Sequence, residues 1–109
     1  MDELIATAED YLAASNAHDI ARIRPMLAAN CCYRSAGVGR HDGTDAIMAM
    51  MQSFFAANPD VHWDARNYQR QANRVVFDFR ITLASGTSSG REEIHFNEAG
   101  KISRIVVQS

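Results

Sequence analysis

Two segments of the chain place their apolar residues at helical spacing. In the first, one stripe carries Leu4, Ile5, Ala8, Tyr11, Leu12 and Ser15, and the acidic residues lie off it. This predicts a helix over about residues 2–15, with an acidic start that suits a helix N-terminus. Asp19 is a favourable N-cap for a short second helix that carries Ile20, Ile23 and Leu27, and Pro25 predicts a kink within it.

The second helical pattern predicts a third helix after residue 43. Its apolar stripe is Ile47, Met50, Met51, Phe54 and Phe55. Thr44 is expected to cap this helix, and the Asn58-Pro59 pair to end it. Between the second and third helices, residues 31–36 are typical of a short strand and residues 37–43 of a glycine-rich loop.

After Pro59 the apolar period changes from helical to two, which is the period of a strand. The clearest case is the inward set Val75, Phe77, Phe79, Ile81 and Leu83, which alternates with polar residues. Strands are predicted for residues 61–70, 75–83, 92–96 and 102–107, with a turn at 85–90 and a hairpin loop at 97–100. Helices first and consecutive hairpins afterwards predict an α+β fold, an antiparallel sheet with its helices on one face.

Composition limits the chain to one ordinary globular unit. Its 109 residues suffice for a single domain, residues 1–109, and 47% of them are hydrophobic. The net charge of −2 and the scattered arginines argue against a nucleic-acid partner, and the apolar stretches are too short to cross a membrane. The acidic N-terminus is unlike a secretion signal, so we expect a cytoplasmic protein.

The metal-binding residue types have no metal-site spacing. Cys31 and Cys32 are adjacent, so in a strand their side chains point to opposite faces and favour two reduced thiols. The four histidines are dispersed along the chain. We therefore expect neither a metal site nor a cofactor.

Three stretches of sequence, together with the element order, carry a resemblance to a known superfamily. They are the run Tyr11 to Asp19, the helix start Gly43 to Ile47, and the closing hairpin Asn97 to Lys101. In these the chain resembles the nuclear transport factor 2-like superfamily, and most closely its ketosteroid isomerases and SnoaL-like polyketide cyclases. The resemblance covers nearly the whole chain. It implies a cone-shaped fold in which three N-terminal helices pack on a curved antiparallel sheet around an apolar pocket.

The resemblance also implies roles for three residues. In ketosteroid isomerases a helix tyrosine and a protonated aspartic acid on a late strand donate hydrogen bonds to a dienolate oxygen, and a second aspartate shuttles the proton. The tyrosine corresponds to Tyr11 and the protonated acid to Glu92, which is one methylene longer. The shuttle corresponds to Ser35, which cannot act as that base unaided. Two of the three positions therefore match in kind and the third departs from the pattern.

Each of these residues has a simpler interpretation that stays open. Tyr11 lies on a buried stripe, where a core tyrosine bonded to backbone or water is equally expected. Glu92 shares the inward face of Ile94, which makes it either a pocket acid of raised pKa or a wetted residue at the end of the sheet. Ser35 is a polar pocket residue rather than a nucleophile. His41 and Asp42, in the loop at the expected pocket mouth, are possible replacements for the base but more typical of solvated loop residues.

The function expected from these residues is an enolate-forming isomerase or lyase that acts on a small apolar carbonyl compound. The residues expected to bind the substrate come from the inward faces of the third helix and the strands: Met50, Trp63, Phe77, Phe79, Ile94 and Ile105. The alternative is a non-catalytic binding or dimerisation domain of the same fold.

We also expect a homodimer that pairs through the outer sheet face. That face is predicted to carry a mixture of aliphatic residues and both charge signs: Val76, Asp78, Arg80, Thr82, Glu93, His95, Arg104 and Val106.

Overall fold

A computed structural model describes residues 2–108 of the chain. Its helices are α1 (Glu3–Asn16), α2 (Ile20–Ile23) and α3 (Thr44–Ala57), and a 3-10 turn, Arg24–Met26, follows α2. Its strands are β1 (Leu27–Ser35), β2 (Gly39–Asp42), β3 (His62–Gln71), β4 (Arg74–Leu83), β5 (Gly86–Phe96) and β6 (Ile102–Gln108). No helix within residues 2–108 is long and apolar enough to cross a membrane.

The helix ends follow local chemistry. The Asp2 carboxylate accepts hydrogen bonds from the amides of Leu4 and Ile5 and so begins α1. The Asp19 carboxylate accepts from the amide of Arg22 at the start of α2. Gly43, rather than Thr44, occupies the N-cap position of α3, because the Thr44 hydroxyl donates instead to the carbonyl of Ala28 at 3.0 Å. The predicted Thr44 cap is therefore wrong.

The six strands form one curved, unclosed sheet in the order β2-β1-β6-β5-β4-β3. The three helices pack on its inner face, and the buried core lies between the two layers. This confirms the predicted cone-shaped α+β fold, with one correction. β1 pairs with β6 in parallel, whereas every other neighbouring pair is antiparallel. Because α3 and four strands lie between β1 and β6 in sequence, the chain is long enough for the crossover that a parallel pair needs.

Three predicted element boundaries are also wrong. Leu27 begins β1 instead of extending the second helix, because the 3-10 turn around Pro25 ends that helix. Residues 39–42 form the edge strand β2 rather than a loop, and the positive φ of Gly39 (81°) accommodates the reversal that brings it beside β1. Residues 86–91 belong to β5, where pairing with β4 overrides the low strand propensity of a Gly- and Ser-rich segment.

The outer sheet face is more basic than sequence counting predicted. By strand register it carries seven of the ten arginines: Arg34, Arg40, Arg66, Arg74, Arg80, Arg91 and Arg104. Only four acidic residues share it: Asp42, Asp64, Asp78 and Glu93. Val76, expected to be exposed there, is only 4% exposed. The homodimer expected through this face stays a prediction.

Candidate functional site

An apolar cavity of about 350 Å³ lies between the helices and the inner sheet face. Aromatic and methionine side chains of α3 form part of its wall, namely Met50, Met51, Phe54 and Phe55. Trp63 of β3 and Phe79, Ile81 and Leu83 of β4 contribute from the sheet. The cavity therefore occupies the half of the inner face toward the Leu83 end of β4, and its lining is chiefly hydrophobic.

Glu92 is the acidic residue of this wall. Strand register places it on β5 between Phe77 of β4 and Val107 of β6, and it is only 5% exposed. Among the described residues, no group forms a hydrogen bond with the Glu92 carboxyl. Every fully buried side-chain polar atom of those residues does have a hydrogen-bond partner, so the Glu92 oxygens are not fully buried and are accessible from the cavity. Burial raises the pKa of Glu92 from 4.5 to about 8. Glu92 is therefore mainly a neutral carboxylic acid at neutral pH and can donate a hydrogen bond into the cavity.

Two tyrosines border the same cavity. Tyr11 projects from the buried side of α1 and is 4% exposed. Burial first, and the nearby Glu92 second, raise the pKa of Tyr11 well above its ordinary value. The same two causes raise the pKa of Tyr33 on β1. Both phenols therefore keep their protons, so that three neutral donors, Tyr11, Tyr33 and Glu92, surround one apolar space.

Tyr33 is a site residue that sequence reasoning missed. A usable signal was present, because Tyr33 lies two residues before Ser35 on one strand and therefore shares its face. The family resemblance assigns a role to the position of Ser35 and none to that of Tyr33.

Ser35 lies at the rim of the cavity, where its hydroxyl organises the β1–β2 turn. The Ser35 Oγ accepts hydrogen bonds from the amides of Gly37 (3.0 Å) and Val38 (3.4 Å), which also border the cavity. Its hydroxyl proton stays available as a donor. Ser35 thus shapes the entrance and adds a polar group to it, but it offers no base.

The two proposed replacements for the base lie elsewhere. His41 lies close to the carbonyl of Val38, with 2.8 Å between Nε2 and the oxygen, and Asp42 pairs with Arg40 on the outer face. Neither residue lines the cavity, and the described lining contains no histidine and no carboxylate other than Glu92.

The residues predicted to bind substrate divide into two groups. Met50, Trp63 and Phe79 lie on the cavity wall. Phe77, Ile94 and Ile105 lie in the closed core, are at most 1% exposed, and are not among the described lining residues. Alternation correctly puts all three on the inner face, but at positions where the helices cover the sheet. The ring of Phe77 also packs against that of Tyr68, with the ring centroids 4.9 Å apart.

The histidine, cysteine and acidic side chains of the described residues form no metal-binding cluster. Among residues 2–108, no group of three His, Cys, Asp or Glu side chains is placed to hold a metal ion. Both cysteines are free thiols, and burial raises the pKa of Cys31 to about 12. Cys31 is therefore an unreactive core residue.

The sequence of the chain matches a known family of domains. The model of the SnoaL-like domain family matches residues 8–105. No curated protein matches the sequence significantly.

Solved structures match the whole fold. A cystatin-fold protein from Novosphingobium aromaticivorans superposes with a TM-score of 0.89 at 17% identity, with both chains covered in full. A protein from Agrobacterium tumefaciens, assigned provisionally as an isomerase of the SnoaL-like family, gives a TM-score of 0.82 at 24% identity and covers 98% of this chain and 97% of its own. TerC, co-crystallised with polyporic acid, gives 0.83 at 16% identity with 97% and 90% covered. At such identities these structures show the fold alone.

Proposed function

The chain belongs to the SnoaL-like domain family, and on that premise we propose that it is a cofactor-independent isomerase or lyase. Its substrate would be a small, largely apolar carbonyl compound that reacts through an enolate. The observation that carries this proposal is the buried, neutral Glu92, which lines one apolar cavity together with Tyr11 and Tyr33.

The arrangement suits a carbonyl oxygen that gains negative charge. Hydrogen-bond donors fixed in a water-poor site stabilise such an oxygen more strongly than water does, because they need no reorganisation as the charge develops. Tyr11 and Glu92 would hold the oxygen, and Tyr33 would donate from the neighbouring side of the cavity. Glu92 donates only while it is protonated, which its raised pKa ensures at neutral pH.

Cavity size and lining limit the substrate. A volume of about 350 Å³ is near the lower end of small-molecule pockets, which suits a compact ligand. One wall of the cavity is aromatic. It consists of Phe54, Phe55 and Trp63, whose ring centroids lie 6.1 to 6.3 Å from one another. Such a wall favours a planar, unsaturated ring system. TerC, which was co-crystallised with polyporic acid, offers a precedent on the same fold.

The absence of a second base limits the chemistry further. With Ser35 in place of the shuttle, Glu92 is the only carboxyl group of the described lining that can move a proton. While Glu92 donates to the oxygen it is protonated and cannot also take up the carbon-bound proton, so that proton would pass to solvent water. The proposed substrate is therefore one whose carbon-bound proton is already acidic, and a simple β,γ-unsaturated ketone would react slowly.

A non-catalytic binding domain is the second candidate, and the same departure at Ser35 favours it. The open cavity suits both of these candidates and counts against a purely dimerising domain, because a domain with no ligand would be expected to fill this space with its own side chains.

Binding of an acidic nitrophenol, ionised throughout the pH range used, tests the proposed site without requiring turnover. The phenolate oxygen imitates the enolate, and Trp63, the only tryptophan of the chain, lies on the cavity wall and reports binding by its fluorescence. We expect saturable quenching at pH 6–7. Affinity should fall as the pH rises through about 8, because ionised Glu92 repels the phenolate.

Two tyrosine variants provide the comparison. Tyr11→Phe should weaken binding about tenfold, the effect of one charge-assisted hydrogen bond. Tyr68→Phe is the matched control, since Tyr68 lies within electrostatic reach of Glu92 but is not among the described lining residues. Absence of quenching, or equal losses in the two variants, would contradict the proposal.

A further inference from the structure

A second, polar groove of about 530 Å³ lies on the outer sheet face, and Phe79 borders both this groove and the apolar cavity. Its arginines come from three neighbouring strands, Arg66 from β3, Arg80 from β4 and Arg91 from β5. Ser89 and Gln108 add a hydroxyl and an amide. The groove thus gathers three guanidinium groups and two neutral donors in one depression.

None of these three arginines has an ion pair within residues 2–108. Five other arginines of the chain do have one: Arg22, Arg24, Arg40, Arg70 and Arg74. Among residues 2–108, the one carboxylate that lines the groove is Asp78, which accepts a hydrogen bond from Asn67 at 3.0 Å. Strand register places Asp78 between Arg66 and Arg91. Because three arginines and one aspartate line the groove, the positive charge of its described residues exceeds their negative charge.

Gly90 allows the strands to approach at this point. A Cβ atom on Gly90 would lie 2.3 Å from the carbonyl oxygen of Gln108 and 2.7 Å from the ring of Phe79. Only glycine therefore lets β5 pass this close to the end of β6, where Arg91 pairs with Gln108. The arrangement of the groove thus depends on a close backbone contact and not only on exposed side chains.

We propose that this groove binds a ligand that carries two linked phosphoryl groups. An arginine fork matches a carboxylate or a phosphate through paired hydrogen bonds. A single carboxylate has only two oxygens and satisfies one fork. A diphosphate has enough terminal oxygens for all three guanidinium groups, and the Ser89 hydroxyl and the Gln108 amide can donate to those that remain.

Inorganic pyrophosphate is the probe, titrated calorimetrically at low ionic strength. The groove lies on the face through which the homodimer is expected to pair, so the titration uses a protein concentration at which sedimentation shows the monomer. We expect one site that discriminates against sulfate. Arg66→Gln combined with Arg91→Gln should weaken pyrophosphate binding by about tenfold or more, because hydrogen bonds to charged groups are lost.

The matched control is Arg34→Gln combined with Arg104→Gln. This variant removes the same charge from the same face at arginines outside the groove, which lie within electrostatic reach of Asp42 and Cys32 respectively. We expect its affinity to stay within a few-fold of the native value. No pyrophosphate binding by the native protein, or equal losses in the two variants, would overturn the proposal and leave only a diffuse basic face. Thermal melts of both variants exclude unfolding as the cause of a loss.

Discussion

Replacing Glu92 with glutamine is expected to abolish a loss of stability that the native protein undergoes between about pH 5 and pH 8. In the folded chain burial holds the pKa of Glu92 at about 8, whereas its ordinary value is 4.5. Between these two values the unfolded chain releases the proton and the folded chain keeps it. The free energy of unfolding of the native protein therefore falls as the pH rises through this window.

The size of this effect follows from the shift in pKa. One pKa unit corresponds to about 1.4 kcal/mol, so the native protein should lose roughly 3–5 kcal/mol through Glu92 by pH 8. The Glu92→Gln protein has no proton to keep at that position. Urea unfolding at pH 5 and at pH 8 compares the two proteins, and the gain from the substitution should be much larger at pH 8.

The adjacent Glu93 provides a control of the same type. It points to the outer face, where it pairs with Arg74 at 3.0 Å. Glu93→Gln removes only this partly exposed ion pair, for which a cost of about 1 kcal/mol or less is expected. If Glu92→Gln loses as much stability between pH 5 and pH 8 as the native protein does, Glu92 is not a neutral buried acid.

Replacing Ser35 with aspartate should raise the isomerisation of a β,γ-unsaturated ketone by about 10²–10⁴-fold, the usual contribution of a positioned general base. Ser35 lines the same cavity as Tyr11, Tyr33 and Glu92, the donors that would hold the enolate. An aspartate there can accept the hydrogen bonds that Gly37 and Val38 now donate to the serine, because Asx and Ser turns are alike. Its second oxygen would then face the substrate.

Ser88→Asp is the matched control for this gain of activity. Ser88 also lines the cavity, but on β5 rather than on β1. The measurement is an absorbance assay for the conjugated ketone with the native protein and both variants. A rise in both variants would indicate nonspecific catalysis by a carboxylate. Rapid turnover by the native protein would show that another group already supplies the base.

Much of the fold and part of the site follow from the sequence because they depend on local periodicity. The inward phase of Tyr11 on a helix and of Glu92 on a strand could be counted from neighbouring apolar residues, and both border the cavity. The capping carboxylate of Asp19, which the sequence predicted, is equally local, whereas Asp2 was expected only as part of the acidic start of α1. Such features need no knowledge of which strands become neighbours.

What the sequence did not predict depends on contacts between distant segments. The parallel pairing of β1 with β6 joins strands far apart in sequence. The extension of β5 through residues 86–91 is different, because it pairs with the preceding strand of the same hairpin and was hidden by the low strand propensity of glycine and serine. The position of the cavity along the inner face decides that Leu83 and Val107 line it whereas Phe77 does not. The alternation of apolar and polar residues shows which face of the sheet a side chain is on, but not where along that face the cavity lies. It therefore could not distinguish residues of the cavity wall from residues of the closed core.

The most direct test of the central claim is a carbon-13 NMR titration of the Glu92 carboxyl, with the Glu92→Gln spectrum used to assign its signal. A neutral acid in an apolar cavity should titrate with a midpoint near pH 8. A bound nitrophenolate should move that midpoint upward, because its negative charge opposes ionisation of the carboxyl. A midpoint near 4.5, unchanged by the ligand, would contradict the account, since it would place the carboxyl in water and away from any anionic oxygen.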